Sequence, residues 1–171
     1  MTVISKYKRW NNRDFQPLDA SCVPDFPVFG DQTLYSYTLG SYQIARAEGY
    51  YGEHISDNGR FLIQVLKQPE GIDLTGTDLS AEEPYLVRAR IQSRHQLNTK
   101  YHDYLLYDKM NPQFHIKYCC TCKDGAETIG CCCHIATIMW FLGYARHQEH
   151  ISPPRAPMHL NTIEDWTDDD D

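Results

Sequence analysis

Two periods run through the hydrophobic and polar positions of this chain, and the switch between them sets out its elements. Behind Ser41, a residue suited to capping a helix, Ile44, Ala47, Tyr50 and Tyr51 recur at three- and four-residue intervals. The spacing predicts a helix over about residues 41–55, weakened toward its end by Gly49 and Gly52. Past the Asp57-Asn58-Gly59 turn the period falls to two. Residues 60–67 read as a strand, and residues 84–94 alternate, with Val87, Ala89 and Ile91 facing one way and Arg88, Arg90, Gln92 and Arg94 the other. Residues 101–107 and 114–118 read as two further strands, joined through turns near Asn98 and over 108–112. The helical period then returns: Ile135, Ile138, Met139 and Leu142 stand at i, i+3, i+4 and i+7, predicting a helix from 135 to about 146. Trp140, Phe141 and Tyr144 make its remaining faces apolar, so it is expected to lie buried between the sheet and another surface.

The expected fold class is α+β, a small antiparallel sheet with two helices, over a single domain of residues 34–150. Residues 1–33 carry Pro17, Pro24 and Pro27, mixed charges and little period, and read as an irregular N-terminal arm with Lys6, Lys8, Arg9 and Arg13 at its start. Residues 68–83, with Pro69, Gly71 and Gly76, read as a loop. Residues 151–171 read as a flexible acidic tail.

A length of 171 residues suits one domain, and 42% hydrophobic residues is the content of a folded protein. No window approaches the roughly 20 apolar residues of a membrane span, and the N-terminus lacks the apolar stretch of a secretory signal. An intracellular, reducing setting is therefore expected, in which clustered cysteines serve as metal ligands or redox groups more often than as disulfides. The formal charge of −7 is misleading as a guide to partners, because six of the acids lie in the last eight residues. Between Glu83 and Asp103 there is no acid at all, and strand geometry puts Arg88, Arg90 and Arg94 on one side, with Lys100 following. This face is a candidate contact for consecutive phosphates of a nucleic acid.

Six of the seven cysteines fall between Cys119 and Cys133, and His134 follows them at once. Zinc takes four thiolate or imidazole ligands in a tetrahedron, usually as two close pairs separated by a connector. Cys120 and Cys122 form one such pair, on the same face of an extended strand, and Cys132 with His134 forms the other. Gly125 and Gly130 would let the nine intervening residues fold back. A second register, Cys119 and Cys122 with Cys131 and His134, has acceptable spacing if the chain turns at the cysteines.

The pattern Cys120-Thr121-Cys122, nine residues, then Cys132-Cys133-His134 resembles the CxCx(n)CxH signature of the SWIM-type zinc finger. The resemblance selects the first register, so Cys120, Cys122, Cys132 and His134 are the expected ligands of Zn2+, in a finger over about residues 115–146. Tyr118 to Ala126 and Cys133 to Arg146 are similar to a transposon-associated group of SWIM proteins, as are Leu39 to Ala47 and Val87 to His95. In that group a DDE-type transposase or endonuclease region often precedes the finger. The stretch before residue 35 is expected to be too short for such a region, and no acidic triad is assignable in what remains, so the resemblance implies a stand-alone module without the nuclease.

A closed Cys3His shell leaves zinc no open position for a substrate, and Glu127 is the only nearby carboxylate with a claim to general-base work, so no enzyme activity is expected. Cys133 and His134 are sequence neighbours and do not make a nucleophile–base pair. Cys119, Cys131 and Cys133 are expected to pack as small apolar residues, and Cys22 as an incidental thiol. The family resemblance implies a transposon-derived recognition module associated with DNA, intracellular and nuclear. The alternative partner is a protein: an adaptor of the kind found in ubiquitin-ligase or chromatin complexes, using the apolar helix and the acidic tail.

Overall fold

The computed structural model describes residues 10–18, 26–38, 41–54, 61–67, 72, 74, 84–93, 99–108, 116–127 and 131–149. Arg94, Cys22 and the acidic tail lie outside these residues, as does most of the 68–83 loop. The described elements are β1 (Phe15–Pro17), α1 (Asp31–Thr38), α2 (Ser41–His54), β2 (Phe61–Leu66), β3 (Pro84–Gln92), β4 (Lys100–Asp108), β5 (Lys117–Cys120), α3 (Lys123–Glu127) and α4 (Cys133–Gly143), followed by a 3-10 turn, Ala145–His147. The chain is α+β, and its five strands make one antiparallel sheet in sequence order.

Strands β3 and β4 are the spine of the sheet, paired along their full nine residues from Pro84↔Asp108 to Gln92↔Lys100. Their period-two pattern sorts side chains onto two faces. Val87, Ala89, Ile91, Leu105 and Tyr107 enter a core shared with Ile63, Val65 and the helices. Leu86, Tyr104 and Leu106 enter a second core on the other face, with Trp10, Phe15, Leu66, Ile72 and Cys119. Helix α4 lies over the first face, with all but Cys133 and Phe141 of its residues buried. Helix α2 covers α4 in turn, with Tyr51 stacked on Phe141 at 5.2 Å and edge-on to Trp140 at 5.3 Å. The expected burial of this helix between sheet and second surface is what is found.

Three expectations shift. Residues 1–33, expected to be an irregular arm, supply the edge strand β1 and bury Trp10, Phe26 and Phe29. Three residues are too few for alternation to show in the sequence, and the signal lies instead in isolated aromatic residues between prolines. Phe29 is seated by its backbone N–H on the Gly143 carbonyl at 2.8 Å. A Cβ on Gly143 would fall 2.3 Å from the Phe29 ring, so only glycine leaves room there. The last strand, expected over 114–118, is described at Lys117–Cys120 and runs on past 118 through the first two cysteines of the cluster, while residues 114 and 115 lie outside the described residues. The connector after it contains an unexpected short helix, α3.

Candidate metal centre

Strand β5 delivers Cys119 and Cys120 to opposite faces of the sheet. Cys119 pairs with Tyr104 and joins the second core, whereas Cys120 pairs with Asp103 beneath the helices. The chain then bends. Thr121 fixes that bend to the neighbouring strand by donating its N–H to the His102 carbonyl at 3.0 Å and accepting the His102 N–H on Oγ1 at 2.9 Å. Cys122 is thus carried round toward Cys120, its own N–H donating to the Cys120 sulfur at 3.2 Å. The pair was expected to share a face by strand periodicity, but β5 ends at Cys120 and the bend does the work.

Helix α3 closes this half of the site. Its Gly125 N–H donates to the Cys122 sulfur at 3.1 Å. A Cβ at Gly125 would meet Cys120 Cβ at 2.6 Å, so the close approach of helix to strand requires glycine. The other half comes from the start of α4. Cys132 is its N-cap, with its carbonyl accepting the first helical bond from Ala136, and His134 stands in the first turn. A thiolate at a helix N-terminus sits where the backbone N–H groups and the helix dipole favour negative charge.

The four groups converge. Cys120, Cys122, Cys132 and His134 are all buried, and their ligand atoms lie within 4.8 Å of one another. His134 Nδ1 is 3.6 Å from the Cys120 sulfur and 3.9 Å from that of Cys132. With Zn–S near 2.3 Å and Zn–N near 2.0 Å, the edges of a tetrahedral Cys3His shell are about 3.5–3.8 Å, so the donors stand close to the spacing a zinc ion requires. The His134 ring is held between Tyr50 of α2, edge-on at 5.2 Å, and Tyr101 of β4 at 5.0 Å.

The electrostatics suit a cation. Hydrogen bonds from Cys120 and Cys132 drive the Cys122 thiol far below its ordinary pKa, with help from His134 and the Gly125 N–H. Cys120 is driven up, as the donor to Cys122 and Cys132 and by burial. A dication among these crowded sulfurs would stabilise all three as thiolates. Burial opposes charge on His134, but the Cys122 sulfur, Asp103 and Asp124 outweigh it and raise its pKa.

The remaining cysteines of the run behave differently. Burial pushes Cys119 up to about 11, Cys131 to about 12 and Cys133 to about 11, which keeps them neutral at ordinary pH. None of the described cysteines forms a disulfide. The Cys119/Cys131 register is not the one the fold brings together.

The basic residues of β3 and β4 lie on the opposite face. Arg88 donates from Nε and Nη2 to Gln64 Oε1 at 3.2 and 2.8 Å and from Nη1 to the Asn11 carbonyl at 3.0 Å, with its guanidinium 3.9 Å from the centre of the Phe15 ring. Arg90 is half-buried beside His102, and Lys100 is exposed. The His102 pKa is lowered, first by burial and then by the positive fields of Arg88, Arg90 and Lys100.

Asp103 was not anticipated. It is fully buried beside the cluster, and burial pushes its carboxyl up to about 7 against the pull of His134 and Cys120. A signal was there to read: Tyr101, Asp103, Leu105 and Tyr107 share one strand phase, and an acid in an apolar phase is an anomaly.

No known protein family, characterised protein or solved structure matches the chain. The site itself therefore carries the functional argument. The described helices include none long and apolar enough to cross a membrane.

Proposed function

We propose that this chain is a zinc-binding recognition module of the SWIM type, transposon-derived and associated with DNA. The observation that carries the reading is the convergence of Cys120, Cys122, Cys132 and His134 within 4.8 Å, in the CxCx(n)CxH order. The metal is structural. Zinc would tie the end of β5 to the start of α4 and so hold that helix on the sheet, with three thiolates and an imidazole filling its coordination shell. With the shell filled by its own four ligands the metal would have no open position for a substrate, so the role we assign to the module is recognition rather than chemistry.

DNA contact falls to the Arg90 and Lys100 end of the face away from the metal, beyond the part covered by the N-terminal segment. Its positive field, felt at His102, favours phosphates, and Arg90 and Lys100 are the groups best placed to meet them. Arg88 adds charge to that field while its guanidinium is engaged with Gln64, Asn11 and Phe15. Arg94 would extend the row. A protein-adaptor role finds less support, because α4, the apolar helix it would use, is almost wholly taken into the core.

Electrophoretic binding of the zinc-loaded chain to duplex DNA across a salt series tests the reading. Affinity is expected to fall steeply with salt, and an Arg90→Ser/Lys100→Ser double change to reduce the slope of log K against log salt by about 1 for each phosphate no longer neutralised. Zinc uptake without DNA binding would leave the metal module and remove the DNA role.

A further inference from the structure

We infer that Asp103 is a fifth member of the metal centre, fixing the ligating orientation of His134 by accepting a hydrogen bond from Nε2 of its ring. The inference rests on the zinc reading above.

Two buried polar groups beside the cluster lack partners. Neither carboxyl oxygen of Asp103 has a hydrogen bond, and the residue is 0% exposed. Nε2 of His134 is likewise buried and without a partner, while Nδ1 faces the sulfurs of Cys120 and Cys132. An imidazole that ligates a metal through one nitrogen keeps its proton on the other, and that N–H needs an acceptor. Orphaned buried groups are rare in folded proteins, and these two share a neighbour in Cys120, the register partner of Asp103, whose sulfur is 3.6 Å from His134 Nδ1.

Among the described residues, the fold around Asp103 offers it little else. Its register partners are Cys120 on β5 and Ala89 on β3, and alanine has no polar group to give. The neighbouring Cys120 thiol is no lasting donor to it, since a zinc-bound thiolate has no proton to give. On its own strand, Tyr101 places its ring against His134, and Leu105 is core. Asp103 thus lies on the face of β4 that carries Tyr101, whose ring is 5.0 Å from that of His134, and opposite Cys120, whose sulfur is 3.6 Å from His134 Nδ1. A carboxyl oxygen accepts a hydrogen bond whether the group is ionised or protonated, so the role does not depend on its charge. Asp103 is thus a positioning residue. It holds the ring whose other nitrogen binds the metal, and it acts from the sheet while the ring belongs to the helix.

The test uses the full chain, zinc-loaded, with Asp103→Asn and Asp103→Leu. Asparagine keeps an oxygen acceptor and is expected to bind zinc close to wild type in competition with a chelator. Leucine has similar bulk and no acceptor, and a loss of about 10- to 100-fold in zinc affinity is expected. A purely packing role would not set the tautomer, so long-range proton–nitrogen correlation at His134 supplies the second readout. In the wild type the proton is expected on Nε2, slow to exchange, and in Asp103→Leu its protection is expected to vanish. Unchanged affinity and an unchanged Nε2 proton in Asp103→Leu would overturn the inference, as would a wild-type ring carrying its proton on Nδ1. If Asp103→Leu does not fold, the wild-type tautomer and the asparagine variant decide. A wild-type chain that takes up no zinc defeats the metal reading first, and is seen before any variant is made.

Discussion

The two faces of the sheet are closed by different means. On one, α4 and α2 are stacked over β3 and β4, and the Cys120–Cys122–Cys132–His134 cluster joins the end of the sheet to the start of the covering helix. On the other, a short N-terminal segment lies over Tyr104, Leu106 and Leu86, anchored by Trp10, Phe15 and the contacts of Asn11 with Arg88 and Tyr104. On the proposed reading, the first closure adds one localised metal tie to the apolar packing of the helix. The second depends on apolar packing and a few hydrogen bonds, each of which can be removed separately. A covering element joined to its sheet by a loop gains from a metal that ties their ends together, since the ion contributes folding free energy directly.

The largest expected effect is at the metal. Structural zinc contributes on the order of 10 kcal/mol to small domains of this kind, so Cys122→Ser should yield protein without stoichiometric metal and with reduced helical circular dichroism. Retained zinc and an unaltered spectrum would mean that the two closures do not differ as described. Next comes the opposite face. Trp10→Ala is expected to lower unfolding free energy in denaturant by about 3–5 kcal/mol while zinc content stays at wild-type level. Loss of zinc in that variant would show that the faces are coupled through the sheet. A smaller effect, sharper in what it separates, is expected from a matched glycine pair. Gly125→Ala and Gly143→Ala each force a Cβ into occupied space, against Cys120 and against the Phe29 ring respectively. Each should destabilise by about 1–3 kcal/mol, but only Gly125→Ala should weaken zinc binding, because only there does the displaced neighbour carry a ligand.

Much of the helix-covered face was readable from the sequence. Alternation over Val87, Ala89 and Ile91 and the helical spacing of Ile135, Ile138, Met139 and Leu142 are long enough to reveal their periods, and each resolves into the core side of its element. The candidate ligand set was readable for a different reason: cysteine and histidine spacing narrowed it to two registers, and the resemblance to the SWIM pattern selected the one the fold brings together. What could not be read is whatever depends on contacts distant in sequence. Strand β1 is defined by pairing Phe15 with Leu66, and Phe29 by docking on Gly143, neither of which leaves a local period. The bend at Thr121 is imposed by β4, so an extended strand through Cys122 was the wrong local geometry for the right pair of ligands. Asp103 is polar by sequence and buried by register, and only the pairing with Cys120 exposes its place beside the site.

The most direct test of the central claim is the metal content of protein purified without added zinc, measured by elemental mass spectrometry against protein concentration. The account predicts one zinc per chain, released together with helical signal when a strong chelator is added. A folded chain with a stoichiometry near zero, its helical signal indifferent to chelator, would contradict it.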